Sequence, residues 1–232
     1  MAHKVAQYAL PAGIFLARDG QSFLFMDVSN DSYFSLPERF SAAMERLRNN
    51  RLDAIDEEMD ELIGILVSNG LLSEVYGVDS DIIPVGKHLA YTESRDMAIL
   101  EREPIGFGQF YALGKSYLKA RRLLCSGGIG PGVAYLQRRR RIRQASHLDT
   151  AELYQLATAF HRLKPLFFSR RGNCLLNSLV LLLFLDYYGI RGTWCFGVKA
   201  DPFQAHCWVR VNENLVDDQI CSVHRFSLIA EI

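Results

Sequence analysis

RRGNCLLNSLVLLLFLDYYGI, residues 170–190, is the stretch on which the reading of this chain turns. Residues 179–185 are unbroken aliphatic and aromatic, so the segment belongs in a core. A buried helix could carry alanine or leucine at position 174, and packing alone demands no thiol there. Gly172 and Asn173 are turn residues, and the pattern from Leu175 onward is helical. Cys174 therefore falls at or beside a helix N-terminus. Unpaired backbone N–H groups and the positive end of the helix dipole stabilise a thiolate at such a place. They also stabilise the oxyanion that forms when a thiolate attacks a carbonyl. The greasy helix then serves as a rigid pedestal for a nucleophile. An isolated cysteine is more commonly a small core residue, so the assignment rests on partners.

Those partners stand downstream. CFGVKADPFQAHCWVRVNENLVDDQI, residues 195–220, reads as a strand, a loop and a hairpin. The first arm of the hairpin, 205–211, contains His206; the second, 215–220, carries Asp217 and Asp218. A nucleophile on a helix, a base on the next strand and an orienting carboxylate after it form the Cys–His–Asp logic of papain-like chemistry. The pleat leaves the choice of aspartate open. A two-residue loop, Glu213-Asn214, puts Asp217 on the face of His206; a three-residue loop, Asn212-Glu213-Asn214, puts Asp218 there. Asparagine at the third loop position suits the longer loop and so favours Asp218. Trp208 shares the face of His206 and either shields the Cys–His pair from water or belongs to the core. Cys207, Cys221, His206 and His224 lack the spacing of a metal site, so no metal is expected. Cys125, Cys195 and Cys221 read as ordinary buried thiols. No Gly-rich phosphate loop is present, so no cofactor is expected in this chain.

The totals narrow the class. The 232 residues are 49% hydrophobic and 22% charged, with Lys+Arg and Asp+Glu equal at 26 each. That composition suits one large domain or two small ones, and zero net charge gives no long-range pull toward nucleic acid or acidic membrane. The first residues lack a secretory pattern, and the apolar run falls short of the ~20 residues a spanning helix needs. Five cysteines without CxxC pairing suggest reduced thiols. A cytoplasmic chain away from membranes is the expectation.

The N-terminal part alternates apolar segments with turn chemistry. Ile14 to Ala17 and Phe23 to Met26 flank Asp19-Gly20, a hairpin signal, and Ser29-Asn30-Asp31 returns the chain into a third strand around Tyr33 and Phe34. Ser35 and Glu38 have capping-box spacing, with Pro37 suited to a first turn. Phe40, Ala43, Met44 and Leu47 line one helix; Ile55, Met59, Leu62, Ile63, Leu66 and Val67 line a second, which starts near Asp53 or Asp56 and ends at Gly70. Three strands followed by helices resemble a small winged helix-turn-helix domain. The acidic cluster from Asp53 to Glu61 argues against DNA. Strand addition of a peptide to the sheet edge is the alternative use.

Between these parts, 76–110 loses periodicity and collects Gly77, Pro84, Gly86, Pro104, Gly106 and Gly108, which predicts a linker or irregular structure. A helix is predicted from Phe110 to Leu124, broken by SGGIGPG at 126–132. Arg138 to Arg141 with Arg143 read as the solvated face of a helix.

On these residues the chain resembles two known families. The N-terminal pattern, with YFSL leading into the first helix and NGLL closing the last, resembles the precursor-recognition elements of ribosomal-peptide modification systems. It departs from them in a middle helix reduced to a few residues around 51–53. RGNCLLNSLVLLLFLDYYGI followed by FGVKADPFQAHCWVRVNENLVDD resembles the transglutaminase-like cysteine peptidases of lasso-peptide biosynthesis, the B proteins. The resemblance covers about 8–75 and 155–225, and Cys174, His206 and Asp218 fall on that family's three catalytic positions. Position 207 is Cys where the family commonly has Ala, a small-for-small change. The resemblance implies an α+β chain: a winged-helix-like leader-recognition domain at 1–80, a linker at 81–110, and a papain/transglutaminase-like cysteine peptidase domain at 111–232. It implies a lasso-peptide precursor and an asparagine-synthetase-like cyclase as partners, with any ATP use belonging to the cyclase. Tyr33, Phe34, Leu36, Met59 and Leu62 are the expected leader contacts.

Overall fold

The computed structural model describes residues 7–49, 56–75, 83–86, 104–142, 150–167 and 173–232. After a short strand β1 (Gln7–Ala9), strands β2 (Ile14–Asp19), β3 (Ser22–Asp27) and β4 (Ser32–Ser35) form an antiparallel sheet in the order β2-β3-β4. Asp19 pairs with Ser22, so Gly20 and Gln21 make the two-residue turn, with Gly20 at φ +59°. The next turn is held by Asp27, whose carboxylate accepts the N–H groups of Ser29 (2.8 Å) and Asn30 (3.1 Å). A 3₁₀ turn (Glu38–Phe40), α1 (Ser41–Arg48) and α2 (Glu57–Ser68) follow, and β5 (Ser73–Val75) returns to pair with β1. The expected capping box is not formed. Ser35 still belongs to β4, and Pro37 precedes the 3₁₀ turn without a side-chain cap. Helix α2 is capped instead by Asp56, which accepts Met59 N–H at 2.9 Å, and it stops at Gly70 with φ +68°. Ile55, Asp53, the shortened segment 51–53, Gly77, Arg143 and Gly172 lie outside the described residues.

The sheet is buried on both faces. Ile14, Leu16, Phe23, Phe25, Leu36 and the ring of Phe34 pack against α1 and α2. Phe15, Ala17, Leu24, Met26, Val28 and Tyr33, the alternating residues, pack into the core of the C-terminal half. This corrects three expected leader contacts. Leu36 is 2% exposed and Met59 and Leu62 are 0% exposed; they fill the core under the sheet and present no surface to a peptide. Tyr33 and Phe34 remain half-buried, on opposite faces of β4.

The C-terminal half comprises α3 (Phe107–Cys125), α4 (Ile129–Ile142), α5 (Thr150–Phe167), α6 (Cys174–Tyr187), and a sheet of β6 (Thr193–Lys199), β7 (Gln204–Val211), β8 (Asn214–Leu215) and β9 (Ser227–Glu231), with α7 (Ile220–Val223) before β9. The strand order is β8-β7-β6-β9. Helix α6 is apolar all round because it is enclosed: every residue from Ser178 to Leu185 is buried, among α3, α5, β6 and β7. Each such Leu or Phe contributes roughly 1.5–3 kcal/mol relative to exposure. Neither the start of α4 nor helix α5 is among the elements expected from the sequence. IGPG, residues 129–132, lies inside the first turn of α4, where proline is tolerated. In α5, Leu153, Leu156, Ala157, Phe160 and Leu163 recur at helical spacing and are buried. The basic run is also more than a solvated face. Arg139 pairs with Asp186 (2.8 Å), and Arg140 donates to the carbonyls of Gly192 (2.6 Å) and Ile232 (3.1 Å). The halves are joined at Asp19, whose carboxylate accepts Ala200 N–H (2.7 Å) and Ser227 Oγ–H (3.0 Å). Among the described residues, no helix is long and apolar enough to cross a membrane.

Candidate active site

Cys174 is the first residue of α6. Asn173 caps the helix, its side chain accepting Leu176 N–H at 3.1 Å and its carbonyl accepting Asn177 N–H at 3.0 Å. The N–H groups of Cys174 and Leu175 have no acceptor within the helix, so donors point into the space before the thiol. His206 stands on β7, opposite Gly197 of β6. Its Nε2 hydrogen-bonds to Asp218, leaving Nδ1 for the hydrogen bond with Cys174. The three expected catalytic residues are thus brought together, in hydrogen-bonding contact from thiol to imidazole to carboxylate.

Neither loop considered from the sequence is the one formed. Val211 pairs with Asn214 and Arg210 with Leu215, so the turn is Asn212-Glu213, with Asn212 in the left-handed region at φ +52°. Extending that register would put Asp217 on the face of His206. The strand ends first. Beyond Val216 the chain bends, and the Asp217 carboxylate turns back to accept Val209 N–H at 2.8 Å. Asp218 is delivered to His206 by the bend, and it also accepts Gln219 N–H at 2.8 Å.

The two carboxylates titrate in opposite directions. Burial pushes Asp217 up to about 7, opposed by the Val209 N–H and helped by the charge of Asp218. For Asp218 burial also works upward, but the hydrogen bonds from His206 and Gln219 hold its carboxyl below the usual value. His206 is pushed up to about 10, by Asp218 first and by Cys174 second, against burial. Cys174 is drawn down to about 4. Its largest cause is a hydrogen bond from the Cys207 thiol; burial opposes, and the His206 hydrogen bond, the Cys207 N–H and the His206 charge add to the fall. At neutral pH the pair is thiolate and imidazolium.

Cys207 was read as a silent small residue, and the structure gives it a position beside the nucleophile. It is 4% exposed, with Sγ 3.3 Å from Ser178 Oγ. Trp208 resolves into both roles left open for it: it is 1% exposed in a cluster with Cys195, Leu215, Val223 and Leu228, and its ring lies 5.9 Å from that of His206. Phe226 packs on the imidazole at 5.2 Å. Gly197 makes room for both side chains, since a Cβ there would meet the Trp208 ring at 2.7 Å and Phe226 Cβ at 2.8 Å. Of the other thiols, Cys195 is buried, but Cys125 and Cys221 are exposed, contrary to their reading.

The site opens into a cleft of about 560 Å³ lined by Lys164, Cys174, Asn177, Gln204, Ala205, His206, Cys207, Asp217, Asp218 and Phe226. Asn177 lies one helical turn after Cys174, so its amide shares the cleft wall; its Oδ1 is buried without a hydrogen-bond partner among the described residues. Lys164, Asn177 and Gln204 carried no sequence signal, because they converge from separate elements. Tyr33 approaches from the other half of the molecule. Its ring packs 5.7 Å from Phe203, and its phenol is pushed above its usual range by burial first and then by Cys207, Asp31 and Cys174. A cavity of about 430 Å³ between α3, α4 and α6, lined among others by Lys115, Ser116, Lys119, Tyr135 and Asp186, has no cysteine or histidine in its lining.

No curated protein and no solved structure matches the chain. Residues 117–231 match the family model of the transglutaminase-like superfamily, so the part of the chain that carries the thiol, imidazole and carboxylate is a transglutaminase-like domain.

Proposed function

We propose that this protein is a cysteine peptidase that binds the leader of a ribosomally made lasso-peptide precursor and separates leader from core. The observation that carries the reading is the Cys174–His206–Asp218 contact at the N-terminus of a buried helix. Cys174 Sγ attacks the carbonyl carbon of the leader–core bond, and the first-turn N–H groups take the developing oxyanion. The His206 imidazolium gives its proton to the leaving amine of the core, and the leader remains as a thioester. Neutral His206 then draws a proton from water, whose oxygen attacks the thioester; the leader leaves as a free carboxylic acid, which loses its proton to solvent, and thiolate and imidazolium are restored. Asp218 keeps the imidazole oriented. The core passes to an asparagine-synthetase-like cyclase, which would supply any ATP chemistry, in the cytoplasm and without nucleic acid.

The leader adds as a strand along the outer edge of β4, with which no described strand pairs. Leu36 N–H points to Phe23 on β3, and the alternation of the ladder then turns the N–H groups of Tyr33 and Ser35 outward. Tyr33 and Phe34 are the contacts retained from the expected set.

Mass analysis of precursor incubated with the protein, with and without the cyclase, tests the activity. Leader release that survives Cys174→Ala would sink the assignment. Because the matching family is transglutaminase-like, acyl transfer to an amine is the second reading. A product heavier than the hydrolysed leader by the mass of an added amine less water would favour it. No turnover despite leader binding would leave a scaffold.

A further inference from the structure

A chain of buried polar groups ends at the nucleophile. Trp194 Nε1–H donates to Ser178 Oγ at 2.8 Å, and Ser178 Oγ donates to the Cys174 carbonyl at 2.8 Å. Ser178 Oγ also meets Cys207 Sγ at 3.3 Å. A hydroxyl has one proton and two lone pairs. With its proton on the Cys174 carbonyl and one lone pair on Trp194, Ser178 keeps a lone pair for the Cys207 thiol. Cys207, 3.3 Å from Ser178 Oγ, lines the same cleft as Cys174 and hydrogen-bonds to it, so its proton has two acceptors, Ser178 Oγ and Cys174 Sγ. When Cys174 carries negative charge, the charged acceptor is the stronger.

We propose that Cys207 is a positioning residue that donates its thiol proton to the Cys174 thiolate, held in place by Ser178, which receives that proton while Cys174 is acylated. No bond between heavy atoms forms or breaks in this exchange; one S–H turns between two acceptors. The donor steadies the resting thiolate in one direction and releases it without leaving a buried thiol unpaired. The hydrogen bond to Cys174 first, and burial second, favour the protonated form of Cys207. The charged or titratable groups around the pair are His206 and Asp218, the buried Asp217, Lys164 from α5 and Tyr33 from β4.

The inference rests on Cys174 being the nucleophile and is independent of what peptide it cuts. Iodoacetamide labelling of the full chain across pH, with the Cys174 peptide quantified by mass spectrometry, tests both separately. Cys207→Ala should raise the midpoint of Cys174 labelling by about one unit, the loss of one hydrogen bond to a charge. Cys207→Ser, which keeps a donor, should restore most of it. An unchanged midpoint in Cys207→Ala, or no recovery in Cys207→Ser, overturns the proposal. If the native protein itself labels Cys174 as slowly as the urea-unfolded chain, the nucleophile assignment fails instead. Should Cys207→Ala not fold, Ser178→Ala provides the second test: loss of the holder should raise the midpoint in the same direction, and no rise overturns the role.

Discussion

Cys174 and Cys195 lie in one half of the molecule, both packed among large apolar side chains, and they differ completely in chemistry. Cys195 sits in the middle of β6 and is 0% exposed; burial pushes its thiol up to about 12, and the nearby Glu231 carboxylate works the same way against Arg210. Its Sγ finds only distant acceptors, Thr193 O at 3.9 Å and Glu231 Oε1 at 3.8 Å. Cys174 is also mostly enclosed, yet it is drawn down to about 4, because donors reach it from Cys207 and His206. Burial alone makes a thiol inert. Burial with aimed donors and an imidazolium makes a nucleophile.

The largest contrast should come from removing each sulfur. Cys174→Ala should lower leader release by on the order of 10³-fold or more, while Cys195→Ala should leave it within about twofold, since its sulfur meets Thr193 O and Glu231 Oε1 and none of the three catalytic side chains. Comparable losses in a precursor-cleavage assay would erase the distinction. Next is the pair of aspartates. Asp218→Asn should cost on the order of 10²–10⁴-fold in kcat, since it weakens the hydrogen bond and removes the charge that together raise His206. Asp217→Asn keeps the acceptor for Val209 N–H and should cost little; a reversed ranking would give the orienting role to Asp217.

The pH dependence follows from two shifts of opposite sign. Cys174 is lowered, so its thiolate is lost only as pH falls through about 4; His206 is raised, so its imidazolium is lost only as pH rises through about 10. Labelling of Cys174 should therefore stay nearly flat between about pH 5 and 9. A cysteine of ordinary pKa gains about tenfold per unit until it ionises near 8.5. A Cys174 profile that climbs like an ordinary thiol would remove its difference from other cysteines. The smallest effect lies away from both sulfurs. Ser35→Pro removes one outward N–H from β4 without touching the β3–β4 ladder, and should weaken binding of a labelled leader by up to about tenfold. Cys174 labelling should not change; if anisotropy shows full leader affinity, the leader does not use that edge.

What could be read along the chain was whatever repeats locally. Residues 179–185 announce a buried helix, Asp19-Gly20 a hairpin, and Cys174 a place at a helix start, because period, turn chemistry and capping depend on neighbours within a few positions. Helix α5 had the same kind of signal in Leu153, Leu156, Phe160 and Leu163, and glycine and proline disguised the start of α4. Contacts between distant segments had no such signature. A pleat carried past Val216 would have chosen Asp217, and only the bend delivers Asp218. Leu36, Met59 and Leu62 look alike as surface or core residues until the sheet is seen to be covered on both faces. Cys207 reads as one small residue for another, because its meaning lies in Ser178, Trp194 and Cys174, brought to it from two other elements. Spacing fixes which residues share a face. Which faces meet, and which polar atoms are left to find each other there, is settled only when the whole chain excludes water from one core.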